Sequence, residues 1–495
     1  MADYAIEAQE DIWLGIDLGT QSVRVLAVGN SGAVLGQGSQ ALTSRREGHR
    51  HEQDPEEWWR AVVTACRAAI KGLPTGSIRG VAVDGTSGTI LLANARGRAI
   101  TPALMYDDAR ASEQVDAVNE VGGQVWATLG YRMQASWALP KLVWLLANQP
   151  DKLPDSRLIH QTDFITWRLA GHQVATDTST ALKTGYNLIE ERWPYDVMDT
   201  LGVPESILPD VVRSGSQLDT VGVEAAATTG IPLGTPIIAG MTDGCAAQIG
   251  AGALSPGSWN SVLGTTLVLK GVTEQLLHDP AGVVYSHRSP DGGWLPGGAS
   301  STGAGILTRS FPGRRLDELN ARAAEREPAS VVIYPLASRG ERFPFTAPSA
   351  EGFVLGTPRD EIDHYAGLLQ GIAYIERLCF DYLDLLGAPI DGELRLSGGG
   401  TRSRYWSQLR ANILGRPVSI TENTEPALGM AILAASAGGK ISETAARMVH
   451  VQEVIEPRPN ISKRFSEPYI QLISELEERG WLPSRVAHHA LIAVS

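Results

Sequence analysis

Two aspartates stand where a carboxylate could serve phosphate chemistry. Asp17 ends the run Ile12-Trp13-Leu14-Gly15-Ile16 and comes directly before Leu18-Gly19-Thr20-Gln21. A Gly-Thr turn lets backbone approach a ligand closely, and it aims amide N–H groups and a hydroxyl at an anion. A carboxylate beside such an anion needs a cation between them, and Mg²⁺ with retained waters is the usual bridge. The other reading of Asp17 is a turn cap. Asp243, in Gly240-Met241-Thr242-Asp243-Gly244, follows a strand and precedes the small-residue helix start Cys245-Ala246-Ala247-Gln248. It could accept a proton from a substrate hydroxyl attacking phosphorus, or it could cap the helix.

The Gly-Thr turn occurs twice. Leu263-Gly264-Thr265-Thr266 lies between Ser258-Trp259-Asn260-Ser261-Val262 and Leu267-Val268-Leu269-Lys270, the same order of apolar strand, turn and apolar strand. Two such hairpins half a chain apart suggest a duplicated architecture closing on a nucleotide. Gly398-Gly399-Gly400 after Leu394-Arg395-Leu396-Ser397 could admit a flat nucleotide, or it is an ordinary loop. Thr86, Ser87 and the segment Tyr106-Asp107-Asp108-Ala109-Arg110 could bind polyol hydroxyls through paired donors and acceptors. Asp107 and Arg110 equally fit a surface ion pair. His49, His51 and His160 have no acidic or Cys partner at ligand spacing, so they read as solvated or core residues; Trp58, Trp59 and Trp144 read as helix anchors. The chain has no G-x-x-x-x-G-K-[ST], G-x-S-x-G, H-E-x-x-H or EF-hand pattern, so any phosphate site is not a P-loop.

The elements that must hold these residues are legible in outline. Residues 12–40 read as a β-meander, and Asp54-Pro55-Glu56-Glu57 opens a helix with its cap, first-turn proline and acids in place. Ile78–Asp84 reads as a buried strand ending in Gly85-Thr86-Ser87-Gly88, a common ligand edge in α/β sheets. Residues 111–215 read as a mostly helical insertion carrying substrate contacts. Ala366–Leu386 reads as a long amphipathic helix, Trp406–Leu414 as another, and the last fifty residues as one helix near 465–479 and a tail without chemistry.

With 495 residues, the chain fits two large domains rather than one core. Its net charge of -13 disfavours a nucleic-acid partner, and three scattered cysteines disfavour a disulfide framework or structural zinc. Without a basic then apolar start or a long apolar run, the expectation is a cytoplasmic protein with no membrane partner.

Taken together, the motifs resemble those of the FGGY carbohydrate kinases of the actin-like ATPase superfamily. The resemblance spans roughly residues 12–440. It rests on Gly15 to Arg24, Glu52-Gln53-Asp54-Pro55, Leu139-Pro140-Lys141-Leu142, Asp177-Thr178-Ser179 and Ala239 to Gly244. In the second half it rests on Leu263 to Thr266, Gly340-Glu341-Arg342, Ser397 to Gly400 with Trp406-Ser407-Gln408, and Ala427 to Ala431. It implies an α/β fold of two ribonuclease-H-like domains with a cleft between them, placed at 1–250 and 251–455 with a C-terminal helix and tail at 456–495. It further implies ATP-dependent phosphorylation of a sugar or polyol with Mg²⁺. Asp243 would be the base, and Asp17 would lie near metal and substrate. Gly19, Thr20, Gln21, Gly264, Thr265 and Thr266 would hold phosphates, and Gly398, Gly399, Gly400, Ser403 and Trp406 would line the adenosine site.

Asp84-Gly85-Thr86-Ser87-Gly88-Thr89 stands where xylulokinases usually carry Gln-Met-His-Gly and glycerol kinases Asn-Gln-Arg-Glu. It resembles the ribulokinase-type members most. The expected acceptor is therefore D-ribulose, bound near Asp17, Ser87, Asp107, Arg110 and Asp243, with D-xylulose or a pentitol as alternatives. A non-catalytic sugar sensor is the non-enzyme alternative, and a homodimer is compatible with the reading.

Overall fold

A computed structural model describes residues 10–149 and 156–494. The chain forms two compact units: Met1–Gly252 with His287–Gly292 and Glu425–His450, and Ala253–Ser286 with Gly293–Thr424 and Val451–Ser495.

The first unit is built on a six-stranded sheet. Strands β1 (Ile12–Leu18), β2 (Ser22–Gly29) and β3 (Val34–Ala41) form the meander, each antiparallel to the one before. On the other side of β1 the strand Ile78–Gly85 runs parallel, followed by Pro236–Ile238, also parallel, and Gln217–Thr220, antiparallel. β1 buries Ile12, Leu14, Ile16 and Leu18 on one face, and on the other Gly15 lies against Ala427. On the sheet, helix α1 (Pro55–Ala69) starts at Asp54, whose side chain accepts from Glu56 N, and buries Trp58, Val62 and Cys66 in the core.

In the second unit six strands run in the same arrangement. Trp259–Leu263, Leu267–Gly271 and Trp294–Ala299 are successively antiparallel. Leu394–Ser397 lies parallel beside Trp259–Leu263, then come Val418–Thr421, parallel, and Val451–Ile455, antiparallel. The repeated Gly-Thr peptide therefore belongs to a repeated sheet. In each copy the turn joins the first two strands of the meander.

Some expectations change. The helix read as Ala366–Leu386 runs from Glu361 to Leu385 and is buried on nearly all sides, not amphipathic, because the core wraps it. The tail contains a second helix, Ser484–Ile492, whose Val486, Ala487 and Ala490 are buried. Residues 425–450 belong to the first unit: helix Pro426–Ala435 lies against β1, where a Cβ on Gly15 would stand 1.7 Å from Ala427 O, and a Cβ on Gly429 2.0 Å from Ala246 O. Only glycine permits that approach. Gly15→Ala is expected to cost about 1–3 kcal/mol or more through overpacking against backbone, read as a lowered thermal midpoint; an unchanged midpoint would contradict the packing.

Candidate active site

Sheet register brings three carboxylates together at one edge of the first unit. Asp17 and Asp84 are direct neighbours on parallel strands near the C-terminal ends of both, and Gly85 pairs with Thr242, the residue before Asp243. Ligand sites in α/β sheets form at this edge. Asp243 and Asp17 are partly exposed, whereas Asp84 is fully buried and neither of its oxygens has a well-formed hydrogen bond.

Electrostatics follow from that crowding. Burial, then the Asp243 charge, pushes the Asp17 carboxyl up from 3.8 to about 7, against the opposing pull of a proton on Asp84 and of Arg24. Asp84 is raised well above the ordinary range by burial and by both other aspartates. Arg24 is Asp17's cross-strand neighbour on β2, but it is paired with Glu425. Arg24 therefore offsets the Asp17 charge only in part. Among the described residues no three acidic, His or Cys side chains form a ready metal cage.

Both open alternatives for the aspartates are resolved locally. Thr242, not Asp243, is the N-cap of helix Asp243–Ala251, and Asp243 Oδ1 accepts from Gly244 N at 2.7 Å. In the first turn Gly19 N–H donates to Ser22 O at 3.1 Å rather than to Asp17.

Around the carboxylates, the segment Thr178–Thr184 spans two strand ends. Ser179 Oγ lies 3.2 Å from Thr242 Oγ1, and Lys183 Nζ donates to Ser87 O at 3.3 Å. Ser87 Oγ is buried without a partner, as is Gln161 Nε2, whose own Oε1 accepts from Thr86 N and Oγ1. Lys141, wholly buried, donates to the carbonyls of Gly88, Tyr106 and Ser136 at 3.0, 2.8 and 3.0 Å; burial, then Lys183, lowers its pKa to about 7.

Asp107 and Arg110 have other partners. Burial would raise Asp107, but His51 and Arg46 outweigh it and hold the carboxyl below its usual range. The Arg110 guanidinium binds Asp108 and Glu52, both at 2.8 Å, and lies over Trp144. The two do not pair with each other. His51 and His160 are core residues with the carboxylate partners, Asp107 and Asp163, that their spacing did not reveal. A cavity of about 990 Å³ lined by Trp59, Arg96, Arg98, Arg168, Glu56 and Glu57 among others contains none of the three aspartates.

At the equivalent edge of the second unit Val262 and Ser397, paired on parallel strands, stand in the places of Asp17 and Asp84. Gly264, Thr265 and Thr266 turn there in partly or fully exposed backbone. Gly398, at φ 82°, ends the neighbouring strand so close to Leu263 that a Cβ would stand 2.7 Å from its carbonyl oxygen. Ser403 Oγ caps the next helix by accepting from Trp406 N at 3.2 Å, and the buried Trp406 has an unpartnered Nε1–H. Glu341, buried, accepts from Ser300 Oγ, Ser301 N, Thr302 Oγ1 and Tyr334 OH at 2.6–3.2 Å. It thereby fixes the segment after strand Trp294–Ala299, where Thr302 O accepts from Leu267 N at 2.8 Å, directly after the turn.

Sequence comparison agrees with this arrangement. Residues 12–250 match the N-terminal domain, and 259–438 the C-terminal domain, of the FGGY family of carbohydrate kinases. The chain belongs to the FGGY carbohydrate kinases. It is 31% identical to a xylulose kinase from Streptomyces coelicolor over 445 residues, covering 86% of this chain and 88% of that one. It is 26% identical to the Escherichia coli xylulose kinase over 437 residues, 86% and 89% of the two chains. The crystal structure of xylulose kinase from Rhodospirillum rubrum superposes with TM-score 0.85 at 25% identity, covering 94% of this chain and 99% of that one. The fold is that of this two-domain, actin-like ATPase family, and the chain is a phosphotransferase acting on sugars, in a family that uses ATP as phosphate donor. Among the described residues no helix is long and apolar enough to cross a membrane.

Asp84, Ser179, Thr242 and Glu341 were not singled out as functional from the sequence. Asp84 carried the same signal as Asp17, an acid ending an apolar strand before a Gly-Thr pair. Ser179, Thr242 and Glu341 stand within motifs that carry the resemblance, but their contacts join residues far apart in sequence.

Proposed function

We propose that this FGGY kinase transfers the γ-phosphate of ATP to a hydroxyl of a ketopentose, with D-xylulose as first candidate. The convergence of Asp17, Asp84 and Asp243 at one sheet edge carries the reading. Asp243 is the base: it is partly exposed, held at a strand-to-helix junction, and accepts the hydroxyl proton as the oxygen attacks phosphorus. Asp17 holds Mg²⁺, and the orphaned oxygens of Asp84 with the raised pKa of Asp17 mark the excess negative charge that a divalent ion would relieve. Such an ion keeps several waters and needs few protein ligands, in keeping with a site that has no full cage. When bound, Mg²⁺ supplies positive charge to the phosphate oxygens.

The first unit takes the sugar, with Ser87 and Gln161 offering unpartnered polar atoms to its hydroxyls. Gly19, Thr20 and Gln21 of that unit are assigned to phosphate. In the second unit Gly264, Thr265 and Thr266 are assigned to phosphate as well, and Gly398, Gly399, Gly400, Ser403 and Trp406 to adenosine. Asp107 and Arg110, engaged elsewhere, act on the sugar only through the loop they brace.

The named relatives move D-xylulose ahead of D-ribulose. D-Ribulose stays as the second reading because Asp84–Thr89 replaces the Gln-Met-His-Gly stretch. Coupled ADP release with ATP, Mg²⁺ and a panel of ketopentoses, pentitols and glycerol tests both. The highest kcat/KM is expected with D-xylulose; a higher value with D-ribulose reverses the order, and no stimulation by any sugar overturns the proposal.

A further inference from the structure

Thr242 caps its helix without using its side chain on the helix's free N–H groups, which is the usual work of an N-cap threonine. Its hydroxyl turns to Ser179 instead. Ser179 Oγ accepts the Thr242 backbone N–H at 3.2 Å and lies 3.2 Å from Thr242 Oγ1 and 3.8 Å from Cys245 Sγ. It therefore touches the residues on both sides of the Asp243-Gly244 pair. Behind it, His287 Nδ1 stands 2.9 Å from the same oxygen, although 108 positions separate the two residues. Ser179, His287 and Thr242 are all buried.

A hydroxyl that accepts an amide proton has one proton to give and one more lone pair to offer. His287 Nδ1 is its nearest partner and fixes which way it points. Small apolar side chains would fill this space at no desolvation cost, whereas a satisfied polar chain also fixes direction. We infer that Ser179, steered by His287, is a positioning device for the Asp243 carboxylate: it anchors Thr242 and Cys245 so that the acid at the helix start faces the attacking hydroxyl at one angle. Neither residue touches substrate. The inference rests on the reading of Asp243 as base.

Ser179→Ala and His287→Leu are each expected to lower kcat by about 10- to 100-fold, the scale of a small misplacement of a reacting group. The KM for ATP should change by less than about twofold, the pattern of an interaction needed in the transition state and not in nucleotide binding. His287→Asn, whose amide can occupy the place of Nδ1, should recover most of the His287→Leu loss. Wild-type kcat in both Ser179→Ala and His287→Leu overturns the inference, as does a His287→Asn enzyme no faster than His287→Leu. If Ser179→Ala fails to fold, the two His287 variants make the comparison alone. Asp243→Asn is measured alongside. Full turnover in that variant removes the base reading, whereas an inactive Asp243→Asn beside unaffected Ser179 and His287 variants removes the positioning role only.

Discussion

Asp243→Ala is expected to reduce sugar-dependent turnover by about 10²–10⁴-fold, the contribution of a positioned general base. ADP affinity, measured by titration calorimetry, should stay near that of the wild type, because the glycine-rich strand end assigned to adenosine is in the other unit. The Asn variant separates chemistry from structure. Thr242 is the N-cap, and Asp243 Oδ1 accepts from Gly244 N, a bond that an Asn side-chain oxygen accepts equally. Asp243→Asn should therefore melt like the wild type and be as inactive as Asp243→Ala. An Asn variant that restores turnover would make the residue a structural acceptor instead of a base.

The second large effect has the opposite sign for stability and for activity. Asp17→Asn should abolish most turnover, yet stabilise the metal-free protein at pH 8. The native state raises the Asp17 pKa from 3.8 to about 7 through burial and the Asp243 charge. It holds that proton more tightly than the unfolded chain does, so the stability this contributes is complete below about pH 4 and is lost as pH rises through about 7. A shift of this size corresponds to about 4 kcal/mol at most, at roughly 1.4 kcal/mol per unit. Asparagine does not ionise, so its advantage over the wild type should grow between pH 4 and pH 8. Urea unfolding with EDTA present reads it directly. A lower unfolding midpoint for Asp17→Asn at pH 8 would show that the carboxylate is compensated within the protein, and the case for a metal at Asp17 would weaken with it.

How far these features could be read in advance depended on whether their cause was local. Asp17 and the two Gly-Thr turns declare themselves because apolar strand, acid and turn are consecutive in sequence, and the strand Ile78–Gly85 did so for the same reason. Asp84 lay in plain view within that strand. Its importance comes from register: only the parallel pairing of β1 with Ile78–Gly85 sets it beside Asp17. The free-standing reading of Asp107 and Arg110 as partners failed because Arg46 and His51, more than fifty positions away, hold Asp107, while Asp108 and the distant Glu52 hold Arg110. The same holds for His287 on Ser179. The helix Glu361–Leu385 misled in another way: its apolar residues match helical spacing, but packing also buries Asp363, Gln370 and Glu376, which the pattern reads as solvent-facing.

The approach of Gly15 to Ala427 also sets a timetable for the polypeptide. β1 leaves the ribosome roughly 400 residues ahead of the helix Pro426–Ala435 that covers its Gly15 face. At synthesis rates of about 5–20 residues per second, the face of the central strand waits about 20–80 seconds for its cover. A nascent chain, or an excised piece ending near residue 250, presents the Gly15 face of β1 bare. Completion of the first unit thus waits for Glu425–His450 to be made, and this strand is where a holding chaperone has most to protect.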